Sequence, residues 1–101
     1  MSYDNINAPI SGWADKHGIR LLREDVMPSR RYYYVSSEIG ETFQIVIEPE
    51  NDGSVRMDAH LIESPTDEEA HFLWEVPTSQ LLHGLDLSLG SAQAWFRRIA
   101  R

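Results

Sequence analysis

A chain of 101 residues with no cysteine can build one modest hydrophobic core, held by neither disulfides nor thiolate-bound metal. Its 42% hydrophobic and 25% charged residues are those of an ordinary globular domain, so a disordered chain is set aside, as is a membrane span, for which no apolar run is long enough. The net charge of −7 is concentrated in one stretch: Glu38 to Asp86 holds twelve carboxylates against the single base Arg56, which argues against phosphate-neutralising binding to nucleic acid.

Residues 1–101 are expected to form a single α+β domain. Met1 to Ala8 lacks periodicity and reads as a flexible arm, with no basic segment or apolar stretch of a secretory leader, so a cytoplasmic location is the default expectation. Pro9 suits a helix first turn. Ile10, Trp13, Ala14 and His17 follow at helical spacing, and Gly18 supplies the stop. On such a stripe Trp13 is expected to anchor the helix against a sheet.

Ile19 to Asp25 alternates and reads as a first strand, broken at Met27-Pro28-Ser29. Arg30 to Ser37 reads as a second, with Tyr32 and Tyr34 on one side and Tyr33 and Val35 on the other. Glu38-Ile39-Gly40-Glu41 turns the chain into its strongest signal, two alternating runs either side of Glu50-Asn51-Asp52-Gly53. Phe43, Ile45 and Ile47 share a side, as do Val55, Met57, Ala59 and Leu61, and Gly53 can take the positive φ of a tight hairpin turn. Ser64 to Glu69 is a loop with room for one helical turn, and Phe72, Trp74 and Val76 mark a fifth strand ended by Pro77. Connections this short make an antiparallel meander.

From Thr78 the period changes. Leu81, Leu82, Leu85, Leu89, Ala92, Phe96 and Ile99 trace a long amphipathic helix, with Thr78 or Ser79 as N-cap and Arg97, Arg98 and Arg101 suited to the C-terminal dipole. Gly84 and Gly90 each cost such a helix roughly 1 kcal/mol relative to Ala, so a break at either is the alternative. The expected core is Phe43, Ile45, Ile47, Val55, Met57, Leu61, Trp74, Leu85, Leu89, Phe96 and Ile99. With the long helix on one sheet face, Leu22, Tyr32, Tyr34, Val46, Ile62 and Leu73 fall on the other, to be covered by the short helix, by a second copy in a homodimer, or by a partner.

Chemistry-bearing constellations are sparse. His17, His60, His71 and His83 show no metal-ligand spacing, and Ser88 lacks the first glycine of a nucleophile elbow, since position 86 is Asp and Gly84 is too distant. The glycines are isolated and Lys16 is the single lysine, unlike a phosphate-binding loop. Arg30-Arg31-Tyr32-Tyr33-Tyr34 places bases beside aromatics, yet Glu48 and Asp58 on the neighbouring hairpin would repel phosphate. No catalytic residue, metal or cofactor is expected.

Acidic charge and strand tyrosines fit a protein that neutralises a basic protein partner, such as an immunity protein for a bacterial nuclease-type toxin. Carboxylates would steer capture and aromatics would hold it. Tyr32, Tyr34, Glu48, Glu50, Asp52, Asp58, Asp67, Glu68 and Glu69 are the expected contacts. A small acidic α+β chain ending in an amphipathic helix with Trp95 and Phe96 also loosely resembles bacterial secretion chaperones, whose additional helix within the sheet order is not evident between Glu63 and His71. A homodimeric small-ligand-binding domain is the remaining alternative.

Overall fold

Seven side chains of the central hairpin, Phe43, Ile45, Ile47, Val55, Met57, Ala59 and Leu61, are all buried on one face of an antiparallel sheet. The computed structural model describes residues 2–25, 29–64 and 66–99, with Arg98 and Ile99 by backbone alone. In chain order it has α1 (Asn7–Lys16), β1 (Leu22–Arg23), β2 (Arg31–Ser36), β3 (Thr42–Ile47), β4 (Ser54–Leu61), a 3-10 turn (Glu68–Ala70), β5 (His71–Pro77), a second 3-10 turn (Thr78–Gln80) and α2 (Leu81–Ile99). The strands lie in sequence order, each antiparallel to the next, as the short connections require.

At the hairpin tip Asn51 and Ser54 exchange backbone hydrogen bonds of 2.9 and 3.1 Å, and Asp52 joins Gly53 at positive φ (51° and 75°). Two successive residues in that region make the turn whose twist matches the flanking strands. Ile47 faces Met57 but Asn51 faces Ser54, so the β3 side holds one extra residue, a bulge around Pro49 and Glu50.

α1 ends as its glycine predicts. Gly18, at φ 65°, donates its N–H to Asp15 O, and Ile19 donates to Ala14 O, the paired bonds of a Schellman cap. Ile10, Trp13 and Ala14 are buried, and the Trp13 ring packs 5.6 Å from that of Tyr33, so the helix docks on the sheet through its tryptophan. α2 lies on the same face. There Leu85, Ser88 and Ala92 are fully buried, and Phe43 is ringed by Phe72, Trp95 and Phe96. Each fully buried aliphatic side chain contributes roughly 1.5–3 kcal/mol, which makes this single helix-covered face the seat of stability.

Several expectations need correction. The N-terminal segment is tied down rather than loose: Ser2 and Glu50 exchange backbone hydrogen bonds, the Tyr3 hydroxyl donates to Ile47 O, and Ile6 is fully buried. The first strand pairs through two residues only, because Ile19 is engaged in the helix cap and only Leu22 and Arg23 reach β2. α2 runs unbroken through Gly84 and Gly90. Thr78 does not cap it, since its hydroxyl donates to a Glu50 carboxylate oxygen and a 3-10 turn precedes the helix. Leu82 points to solvent at 53% exposure, and Trp74, Leu89 and Phe96 are half-buried at the edge of the core. The side chains of Ile99 and Arg98, and Arg101, Met27 and Pro28, lie outside the described residues.

Candidate interaction surface

Because both helices share one face, the other face of the sheet carries no layer among the described residues. Tyr32, Val46, Asp58 and Leu73 run across it in register, with Tyr34, Gln44, His60 and His71 alongside. Alternation decides this arrangement: Tyr33, between two face tyrosines, goes to the core and is fully buried. The Tyr32 and Tyr34 rings meet edge-on, 5.6 Å apart at 81°, and Tyr34 is 44% exposed. Aromatic pairs of this geometry are rigid, amphipathic contact surface.

The face is framed in acid. Arg30 reaches Glu48 at 3.1 Å and Glu24 at 3.9 Å, and Arg56 reaches Glu75 at 3.7 Å, so each of these arginines is already paired. Asp58 lies 3.1 Å from His71 Nε2 and 3.7 Å from His60 Nδ1. Glu24, Arg30, Tyr32, Gln44, Val46, Glu48, Asp58 and His60 line a shallow depression of about 370 Å3. Tyr32 and Val46 give it apolar surface, and its three carboxylates outnumber Arg30, a lining that favours a cation carried on an apolar stem.

The remaining acids lie elsewhere. Asp52 sits exposed at the hairpin tip, while Asp67, Glu68 and Glu69 begin the 3-10 turn at the opposite end of β4. Eight residues of strand separate the two groups, roughly 25 Å. Asp67 caps its own turn by accepting from Glu69 N–H at 3.0 Å. Glu50 accepts from Asn5 Nδ2 at 2.9 Å and from the Thr78 hydroxyl, and these two bonds, Thr78's first, hold its carboxyl below the usual glutamate range. It belongs to the clasp that fastens the N-terminus.

Gln44, Val46, His60, His71 and Leu73 lie on the face and were not among the expected contacts. His60 and His71 flank Asp58 on β4, whose carboxylate lies within reach of both imidazoles. The signal lay in the β4–β5 register, which sets Asp58 diagonally across from His71. Of the two bases in the tyrosine segment, Arg31 turns to the helix side, where its guanidinium sits 4.2 Å over the Tyr3 ring. No group of histidine and acidic side chains able to hold a metal ion is present among the described residues. No described helix is long and apolar enough to cross a membrane. The chain matches no protein-family model, no curated protein and no solved structure.

Proposed function

We propose that the chain is a small acidic binding protein that captures a basic protein partner on the open face of its sheet, in the manner of an immunity protein for a nuclease-type toxin, without catalysis of its own. The observation that carries this reading is the uncovered Tyr32–Tyr34 pair on β2, with Glu48 and Asp58 beside it on the same face. Tyr32 and Tyr34 would anchor the partner, with Glu48 and Asp58 meeting its lysines or arginines, while Asp52, Asp67, Glu68 and Glu69 act at longer range by steering. Steering raises association rate, and buried aromatic anchors slow dissociation. Glu50 would contribute field rather than contact, since both its oxygens are engaged within the fold.

The test is recovery of partners from the native cell, followed by kinetics with the purified partner. Association should slow as salt shortens the Debye length from roughly 10 to 3 Å, and reversing Asp67, Glu68 and Glu69 to Lys should slow it further. Tyr32→Ala with Tyr34→Ala should instead raise the dissociation rate. A neutral or acidic partner, or an association rate indifferent to both salt and the triple reversal, would sink the reading.

A further inference from the structure

The two edges of the sheet are built differently. β1 offers two residues, whereas β5 offers seven, and among the described residues no strand pairs with its outer side. One hydrogen bond shows which backbone groups face outward: Thr78 N–H donates to Gly53 O at 2.8 Å, next to the Ser54–Pro77 pair. Hydrogen-bonded pairs alternate along an antiparallel ladder, so Phe72, Trp74 and Val76 bond to β4, and His71, Leu73, Glu75 and Pro77 turn their backbone groups outward. All four are exposed, Leu73 at 57%. Long edges are normally guarded by lysines, bulges, prolines or a covering segment. This one carries Pro77 at its very end, where the missing N–H removes an outward donor, and one charge, Glu75, already paired with Arg56.

We propose that β5 docks against β5 of a second copy of this chain, antiparallel about a two-fold axis at Leu73, so that the two sheets continue as one. The strand's own sequence sets that register. Centred on Leu73, His71 of each copy faces Glu75 of the other, placing imidazole against carboxylate on both sides of the axis. Leu73 meets Leu73 on the open face, and Phe72 meets Trp74 on the helix face. Hydrogen-bonding, aliphatic and aromatic cross-strand pairs of this kind each favour a sheet. The Leu73 pair and both His71–Glu75 pairs join outward-facing residues, so each exchanges both ladder hydrogen bonds. An axis at Trp74 would set Leu73 against Glu75 and Pro77 against His71, and an axis at Glu75 would set Pro77 against Leu73. Each alternative forfeits the imidazole–carboxylate pairing and brings a residue without an N–H into the ladder.

The neighbouring side chains accommodate this pairing. A shallow cleft of about 270 Å3, walled by Phe72 and Trp95 with Ser91 and Ala94, runs along the same margin and offers apolar surface to Trp74 of the other copy. His71 already lies against Asp58 and Glu75 against Arg56, so the contact joins a hydrogen bond and an ion pair across the axis. A self-complementary strand gives the isologous contact of a closed dimer.

The full chain is examined by sedimentation velocity across a wide concentration range, beside Leu73→Pro and two cysteine variants. Wild type should dimerise reversibly. Leu73→Pro takes away the axial leucine and an N–H that bonds to nothing within the sheet, a position where an edge strand tolerates proline, and should leave a monomer whose circular dichroism matches wild type. The chain has no cysteine of its own. Oxidised Leu73→Cys should therefore give a covalent dimer, because paired residues lie about 5.5 Å apart at Cα, within disulfide reach. Glu75→Cys, displaced from the axis on both copies, should not. Each copy carries −7, so salt should tighten this self-association while slowing capture of a basic partner, and the two proposals fail separately. A monomer at every concentration, a dimer that survives Leu73→Pro, or equal cross-linking through Glu75→Cys would overturn the assignment.

Discussion

The indole Nε1 of Trp13 donates to Asp86 Oδ1 across 2.9 Å, fastening α1 to α2. His17 lies 3.7 Å from the same oxygen and its ring 4.8 Å from that of Trp13, so one exposed carboxylate collects two groups of the short helix. This clasp, with the packing of Trp13 on Tyr33, keeps α1 on the helix-bearing face and leaves the other open. Trp13→Ala should cost about 3–5 kcal/mol through lost burial. Trp13→Phe and Asp86→Ala should each cost about 1 kcal/mol, and together little more than either alone, because both remove one hydrogen bond. Denaturant titration of the four proteins checks this, and full additivity would show that the bond contributes nothing.

The two helical glycines should respond oppositely to alanine. At Gly84 a Cβ would meet Val76 Cγ2 at 2.8 Å and Met57 Cε at 3.2 Å, so the missing side chain is what lets α2 approach β4 and β5. Overpacking of about 1–3 kcal/mol exceeds the gain in helix propensity of about 1 kcal/mol, and Gly84→Ala should destabilise. A Cβ at Gly90 meets nothing within 4 Å, so Gly90→Ala should stabilise by up to about 1 kcal/mol. Thermal melts of both variants decide it, and a gain at Gly84 would mean that α2 sits farther from the sheet.

Period-two alternation on both sides of Asp52-Gly53 was enough to place the central hairpin, its buried face and, through short connections, the strand order. The same alternation puts Tyr32, Tyr34, Glu48 and Asp58 on one face. Periodicity does not say which side of a sheet a helix docks on, so the placement of α1 could not be read. It depends on Trp13 finding Tyr33 and Asp86, distant in sequence. Gly84 was legible as a weak point in a helix but not as a contact, since its partner Val76 is fixed only by tertiary packing. Glu50 looked like a surface acid because its two donors, Asn5 and Thr78, come from opposite ends of the chain.

Register gives the hairpin its sharpest test. Met57 is fully buried opposite Trp74, whereas its neighbour Asp58 lies on the open face. Met57→Asp should unfold the domain, since a carboxylate would enter the apolar side without a partner. Asp58→Met should leave the melting temperature within a few degrees of wild type. A Met57→Asp melt like that of wild type would exchange the two faces.

Tyr33 and Ser88 bring two buried hydroxyls together in the core. Ser88 Oγ donates to Leu85 O at 2.7 Å, which makes the Tyr33 hydroxyl the donor in its own 2.7 Å contact with Ser88. Burial pushes the Tyr33 phenol well above the usual tyrosine range, against the lowering effect of the Ser88 bond, with Asp86 adding to the rise. The native state therefore keeps a proton that the unfolded chain releases near pH ~10, and stability should fall as pH rises above that value. Tyr3, also raised by burial, adds to the same slope. Tyr33→Phe should cost about 1 kcal/mol at neutral pH and flatten the alkaline limb. Urea titrations on both sides of pH ~10 measure it, and an unchanged limb would assign the effect to Tyr3.

At the acid end the corresponding group is Glu50. The Thr78 hydroxyl and Asn5 Nδ2 donate to its two oxygens, and the lowered carboxyl pKa follows from those bonds. A carboxylate whose pKa is depressed on folding stabilises at neutral pH, and that contribution is lost as pH falls through the ordinary glutamate range to the lower folded value. Glu50→Gln keeps one acceptor but turns an amide N–H2 toward one of the two donors. It should weaken the fold at neutral pH and make stability less sensitive to acid. The loss should be local: amide exchange at Ser2 and Glu50, which exchange backbone bonds of 3.1 and 2.8 Å, should quicken while amides of β4 stay protected. If Glu50→Gln leaves both the acid slope and the Ser2 exchange rate unchanged, the clasp does not hold the N-terminus, and Glu50 returns to the surface acids available to a partner.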